Sequence, residues 1–357
     1  MGLVWYHKKV LVLHTTNMEV LALNEEVITI DAGSGGRKMH KLINNVILKN
    51  ISFCQTSLED SATIPKIDSD LSFTTDSFVV DPLFFPGGDI GKLCIYGTVN
   101  DLSVSGAKPL FLSLSFIIEE GFPLSEFERI LKSIKEAKEF AGIEIVTGDT
   151  KVVPKGGCDK IFINTSGIGI KIYPKIISES NLSEGDVLIV SAPIGMHGAA
   201  IIAARGEFNL YANIKSDLYP LNHYTIPIFE RAFNISAMRD ITRGGLATVL
   251  NEFSKASNCI ISINEKSIPI SEDVKSLTDI LGLDPLYFAC EGTFLTAVSK
   301  DSGNELLSFM QNNLSLTHSE IIGEVTKKGE AGVYLKTEIG GERILSMLEG
   351  EQYPRIC

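Results

Sequence analysis

The stretch Gly97-Thr98-Val99-Asn100-Asp101-Leu102-Ser103-Val104-Ser105-Gly106-Ala107-Lys108-Pro109 decides how the chain is read. Residues 95–105 have the pattern of a helix built largely of small side chains, and Gly106-Ala107-Lys108-Pro109 is a stop signal. Residues 110–118 follow as an apolar run of strand type. Upstream lie strand candidates at 71–76 and 78–80 and a turn at Gly87-Gly88-Asp89. Downstream, Ser125-Glu126-Phe127-Glu128 has the form of a capping box. Phe127, Ile130, Leu131, Ile134, Ala137 and Phe140 then line one helical face, which Gly142 ends. Strands at 144–147 and 161–170 complete an α+β unit.

The second half reads as an α/β domain over 171–338. It has a buried strand at 186–190, a helix at 196–205, a helix at 246–255 and strands at 260–263 and 293–297. A short helical piece at 344–348 lies within a mobile tail, 339–357, and no short-period repeat is visible. Fully drawn out at about 3.3–3.6 Å per residue, the chain from Gly341 onward reaches roughly 55 Å. At the other end, residues 1–26 precede the pattern as an extension. Val10-Leu11-Val12-Leu13 behind Lys8 and Lys9 is too short for a signal peptide, and Met18 opens more ordinary sequence. A strand at 27–31 then leads through Gly33-Ser34-Gly35-Gly36 into a helix at 37–48, a geometry that suits phosphate.

The net charge of −12 argues against a nucleic-acid surface but leaves room for a nucleotide held through Mg²⁺ on aspartates. No apolar run is long enough to cross a membrane. The six cysteines, at 54, 94, 158, 259, 290 and 357, form neither a zinc knuckle nor a C-x-x-C pair, and they read as reduced thiols in a cytoplasm. Cys54, Cys94, Cys158 and Cys259 read as small buried residues, and Cys290 as packing. Cys357, the last residue, is a thiol able to enter an active site.

Two nucleotide fingerprints fail. Pro86 to Leu93 imitates a P-loop without its first glycine or its Ser/Thr, and Gly33 to Lys38 imitates a dinucleotide loop with Lys38 at the last glycine position. Both read as structural turns. A set of aspartates beside small residues or at strand ends carries more: Asp60, Asp76, Asp101, Asp149 and Asp240. Hard oxygen ligands of this kind suit Mg²⁺ on the phosphates of ATP, although any one of them is equally a turn or cap residue.

The motif order supplies the context. Gly33-Ser34-Gly35-Gly36-Arg37 with His40, Thr75-Asp76-Ser77, the opening stretch, Thr147-Gly148-Asp149-Thr150-Lys151-Val152-Val153, Met238-Arg239-Asp240-Ile241-Thr242-Arg243-Gly244-Gly245, Glu291-Gly292-Thr293 and Pro354-Arg355-Ile356-Cys357 succeed one another from about Val27 to the end. That order resembles the NiFe-hydrogenase maturation factor HypE family. The family shares an ATP-binding fold with aminoimidazole ribonucleotide synthetase, selenophosphate synthetase and thiamine-monophosphate kinase, which lack the Pro-Arg-Ile-Cys ending.

The resemblance implies a two-domain, aminoimidazole-ribonucleotide-synthetase-like α+β fold, with an N-terminal domain at 27–170 that pairs through its sheet in a homodimer. It implies that Cys357 receives a carbamoyl group from the carbamoyltransferase HypF. ATP then drives dehydration to a thiocyanate, and the cyanide passes to iron on a HypC–HypD scaffold. Glu291 is the expected base, and Lys151 the expected aid to proton transfer or charge stabilisation. Asp60, Asp76, Asp101 and Asp240 are the expected Mg²⁺ ligands, and Asn100 a phosphate or metal contact. Gly33, Ser34, Gly35, Gly36, Lys38, His40 and Asp149 are expected around the nucleotide. Two other readings remain: a kinase or synthetase of a diffusible substrate, indifferent to Cys357, and a non-enzymatic carrier whose tail docks on a scaffold.

Overall fold

The computed structural model describes residues 27–34, 36–51, 61–206 and 214–350. At the start, Val27 makes a single bridge to Pro123 and a 3-10 turn spans Ile30–Gly33, so the strand expected at 27–31 is no more than that bridge. Helix α1 (Arg37–Leu42), a π turn (Ile43–Ile47) and α2 (Leu48–Asn50) run on without a break, burying Leu42, Val46 and Ile47. Strand β1 (Leu71–Phe78) alternates strictly, with Ser72, Thr74, Asp76 and Phe78 on the more buried side. A two-rung ladder, β2 (Phe84–Phe85) with β3 (Gly88–Asp89), leads into helix α3 (Ile90–Val104). The Asp89 carboxylate caps α3, accepting from the Lys92 N–H at 3.0 Å and the Ser133 hydroxyl at 2.5 Å. The P-loop-like stretch is therefore a helix N-cap.

Helix α3 is buried on nearly every side, because it lies between the N-terminal sheet, helix α4 (Leu124–Ala141) and the second domain. Strand β4 (Ala107–Glu119) starts directly after it, so Lys108 and Pro109 belong to the strand; Pro109 sits at a shift in register. Helix α4 begins behind Pro123 with no side-chain cap, so Ser125 lies within the first turn and the capping box does not form. Its buried face carries Ala141 where Phe140 was expected, and Gly142 closes it at φ +70°. Strands β5 (Glu144–Val153) and β6 (Ile161–Lys171) are longer than their apolar cores. Among the described residues, the first sheet has four strands in the order β1-β6-β4-β5, of which only β4 and β5 run parallel.

The second domain is built on a sheet of seven strands among the described residues, ordered β13-β12-β9-β11-β7-β10-β8. These are β7 (Val187–Val190), β8 (Ile235–Asp240), β9 (Cys259–Asn264), β10 (Phe294–Val298), β11 (Glu320–Lys328), β12 (Gly332–Lys336) and β13 (Glu342–Ile344). Helices α5 (Met196–Arg205), α6 (Asn222–Glu230), α7 (Gly245–Ser257), α8 (Glu272–Leu281) and α9 (Lys300–Asn313) cover it. Ile201, Leu218 and Ala289 of this domain pack into the first domain's core, and Val104 packs into the second's.

The expected helical piece at 344–348 is absent. Instead β13 pairs with β12, Leu345 is fully buried, and the Tyr287 hydroxyl donates to the Ser346 carbonyl at 2.9 Å. The segment expected to be mobile from 339 is thus tied down as far as Ser346. Cys94, Cys259 and Cys290 are buried as expected, whereas Cys158 is only half-buried. Cys54 and the proposed sites Gly35, Asp60 and Cys357 lie outside the described residues. Among the described residues, no helix is long and apolar enough to cross a membrane.

Candidate functional site

Asp76 and Asp101 meet because β1 and α3 pack closely. Asp76 is on the inner side of β1, where its carboxylate accepts from the Ser77 N–H at 2.8 Å. Asp101 accepts from the Thr74 hydroxyl at 2.9 Å. Gly97 permits this approach: a Cβ there would fall 2.6 Å from the Phe78 ring. From the other domain, the end of β8 brings Asp240 and the loop before β10 brings Glu291. Asp76, Asp101, Asp240, Glu291, Arg239 and Arg243 line one interdomain cavity of about 120 Å³. A wider cavity of about 600 Å³ shares Asp101, Arg239 and Asp240, and adds the hydroxyls of Ser72, Thr74 and Ser178. Arg239 is held by Glu179 and by Glu252, the latter at 2.9 Å.

The carboxylates hold their protons unusually firmly. Burial, then the charge of Asp101, pushes Asp240 up to about 7 from 3.8. Burial likewise raises Asp101 and Asp76; the Asp101 hydrogen bond from Thr74 and the Arg243 charge near Asp76 act the other way. Glu291, 8% exposed, is raised well above the usual carboxylate range by burial and then by Asp240. A cation brought into this cavity relieves repulsion among four acids, which is the condition for binding one. Among the described residues, no three acidic, His or Cys groups form a ready metal cage. The arrangement suits a divalent ion that takes one or two carboxylates and completes its shell with phosphate oxygens and water.

The expected site residues fall into two groups. Asp76, Asp101, Asp240 and Glu291 share the cavity. Gly33, Ser34, Gly36, Lys38 and His40 belong instead to the first turns, which rest against β5; a Cβ on Gly33 would fall 2.5 Å from the Val152 nitrogen. Asp149 and Lys151 are on β5 itself, paired at 3.1 Å and both exposed, and Lys38 pairs with Asp31 at 3.0 Å. Strand β5 lies three strands from β1, roughly 14 Å away at sheet spacing.

Asn100, expected as a phosphate or metal contact, is not among the residues that line the cavity. It is 1% exposed, its amide donates to the Tyr219 carbonyl (3.1 Å) and the Glu291 carbonyl (3.2 Å), and its oxygen accepts from the Leu221 N–H (2.7 Å). It joins the two domains. The sequence reading assigns no role to Arg239 and Arg243, although they flank Asp240 in the quoted motif. Asp217, which brackets the turn at Glu291, had no local signal at all.

Residues 58–171 match the AIR synthase related protein N-terminal domain, and residues 183–336 the corresponding C-terminal domain. The chain is 48% identical over 337 residues to a putative hydrogenase expression/formation protein of Methanocaldococcus jannaschii, covering 92% of this chain and 99% of that one. It is 42% identical over 342 residues to the carbamoyl dehydratase HypE of Rhodobacter capsulatus, covering 94% of this chain and all of the relative. A crystal structure of hydrogenase maturation protein HypE in complex with ATP superposes with a TM-score of 0.88 at 41% identity, over 92% of this chain and 99% of the other. A chain of a HypE–HypF complex gives 0.76 at 44% identity, over 86% and 99%. The chain therefore belongs to the HypE carbamoyl dehydratase family, on the two-domain fold of the AIR synthase related proteins.

Proposed function

We propose that this chain is an ATP-dependent carbamoyl dehydratase of hydrogenase maturation. It converts a carbamoyl group on the Cys357 thiol to a thiocyanate, the source of a cyanide ligand for iron. The observation that carries the reading is the convergence of Asp76, Asp101, Asp240 and Glu291 on one interdomain cavity, in a chain so similar to a carbamoyl dehydratase.

An amide oxygen is a poor leaving group, and ATP supplies the phosphoryl group that makes it a good one. Asp76, Asp101 and Asp240 would hold the accompanying Mg²⁺. The carbamoyl nitrogen gives up two protons as the S–C≡N unit forms, and the oxygen departs as phosphate, so the balance is the loss of one water into ADP and phosphate. Glu291 takes a proton in this scheme. Burial, and then the charge of Asp240, raises its carboxyl well above the usual range, so a cation held by the neighbouring acids would favour its charged, basic form.

HypF is the proposed carbamoyl donor, supported by the solved complex of a HypE relative with HypF. The HypC–HypD acceptor and a cytoplasmic setting are carried by the family resemblance. A homodimer is supported by the uncovered face of the first sheet, where Ile64, Phe73, Phe111, Val146 and Ile168 line a shallow apolar hollow. Two copies joined there would supply Lys151 of one sheet to the carboxylates of the other.

The test is intact mass of the C-terminal peptide after incubation with HypF, carbamoyl donor and ATP. The expected result is gain of one carbamoyl group, then ATP-dependent loss of one water, with neither seen in Cys357→Ala. Turnover of ATP on a diffusible substrate by Cys357→Ala would establish the kinase or synthetase reading instead.

A further inference from the structure

The residues around Glu291 are tied by a segment of the second domain that lies against the first. This strap, residues 214–221, buries Ile214, Leu218 and Leu221. The Asp217 carboxylate accepts three hydrogen bonds from consecutive residues: the Glu291 N–H at 3.0 Å, the Gly292 N–H at 3.1 Å and the Thr293 hydroxyl at 2.8 Å. The opposite side of the Glu291 peptide is held too, since its carbonyl accepts from the Tyr219 N–H at 3.2 Å and the Asn100 amide at 3.2 Å. Contact is so close that a Cβ on Gly292 would lie 1.8 Å from the Asp217 carbonyl oxygen. Only glycine fits there.

We infer that Asp217 is a positioning residue for dehydration, whose carboxylate clamps the Glu291-Gly292-Thr293 turn and so fixes where the Glu291 side chain meets the substrate. The inference rests on the reading of Glu291 as the base. A charged acceptor serving three donors is short, directional and hard to replace. Asparagine is nearly the same size, yet it presents an NH₂ group to donors on at least one side. The strap itself does not depend on this carboxylate. Ser216 separately bonds the Pro86 carbonyl through its N–H at 2.8 Å, and its hydroxyl contacts His197 Nδ1 at 2.8 Å. Asp217→Asn therefore loosens the turn while the strap stays in place.

The experiment uses the full chain, carbamoylated on Cys357, and follows thiocyanate formation in a single turnover at saturating ATP. Asp217→Asn is expected to slow the step by about 10- to 100-fold, the usual scale for a misplaced catalytic group, with ATP affinity within about twofold of wild type. The double variant Asp217→Asn/Glu291→Gln is expected to be no slower than Glu291→Gln alone, because the clamp acts only through Glu291. Thr293→Val, which removes one donor and keeps the shape, is expected to slow the step several-fold where Thr293→Ser does not. This pair also decides the matter should Asp217→Asn fail to fold. Full speed in Asp217→Asn beside a slow Glu291→Gln overturns the clamp alone, as does equal speed in Thr293→Val and Thr293→Ser. Losses that multiply in the double variant mean that Asp217 acts elsewhere. Full speed in Glu291→Gln removes the reading of Glu291 itself.

Discussion

Asp240 is 7% exposed and faces Asp101, so folding asks it to accept a charge in a poor place. Its folded-state pKa, raised to about 7 from 3.8, sets a sign. Below the unfolded value both states hold the proton and nothing is lost. Between the two values the folded chain keeps a proton that the unfolded chain releases, so stability falls as pH rises and the loss is complete above about 7. Asp240→Asn removes the liability. In the nucleotide-free protein with chelator present, it is expected to raise stability by up to about 4 kcal/mol near pH 8 and to change little near pH 4. Thermal or denaturant unfolding at the two pH values reads this directly. Added Mg²⁺ and ATP are expected to raise the wild-type melting temperature and to leave Asp240→Asn unmoved. Greater instability of the variant near pH 8 would show that Asp240 is already compensated in the free protein.

Helix α3 and strand β1 set the spacing of Asp76 and Asp101, and Gly97 sets the spacing of α3 and β1. Gly97→Ala places a methyl group 2.6 Å from the Phe78 ring, which must move. A cost of about 1–3 kcal/mol is expected, with ATP affinity reduced several-fold by titration calorimetry because the two carboxylates separate. Unchanged affinity would mean that the ring alone absorbs the strain. The same helix shows what a linear reading captures. Its small residues and its stop at Gly106 were legible, because close packing and chain reversal both leave a mark in residue type. The separate duties of Asn100 and Asp101 were not legible. Neighbours on a helix point about 100° apart, so Asp101 meets Thr74 on β1 while Asn100 meets the second domain. Residues 344–348 misled for a related reason. Leu345 is buried by its strand neighbours rather than by a helical face, and a short apolar run does not distinguish the two. Asp217 left no trace at all, because its donors are 74 to 76 residues away.

At the scale of the molecule, the cavity and the exposed Asp149–Lys151 pair stand at opposite edges of one sheet. Motif order could not reveal this, since it names residues without saying which strand is central. Within one chain Glu291 lines the cavity and Lys151 does not. The outer face of the sheet offers the remedy. Phe73 is 70% exposed and Leu71 54%, apolar area that a four-stranded sheet with helices on one side leaves to water unless a second sheet covers it. Light scattering is expected to give about twice the 38.9 kDa chain mass. Phe73→Glu puts a charge at that face without touching either core, so it is expected to yield folded monomer by circular dichroism and scattering. If Lys151 acts across the pair, the monomer binds nucleotide yet loses thiocyanate formation, whereas a monomer of full activity would confine the chemistry to one chain and remove Lys151 from it.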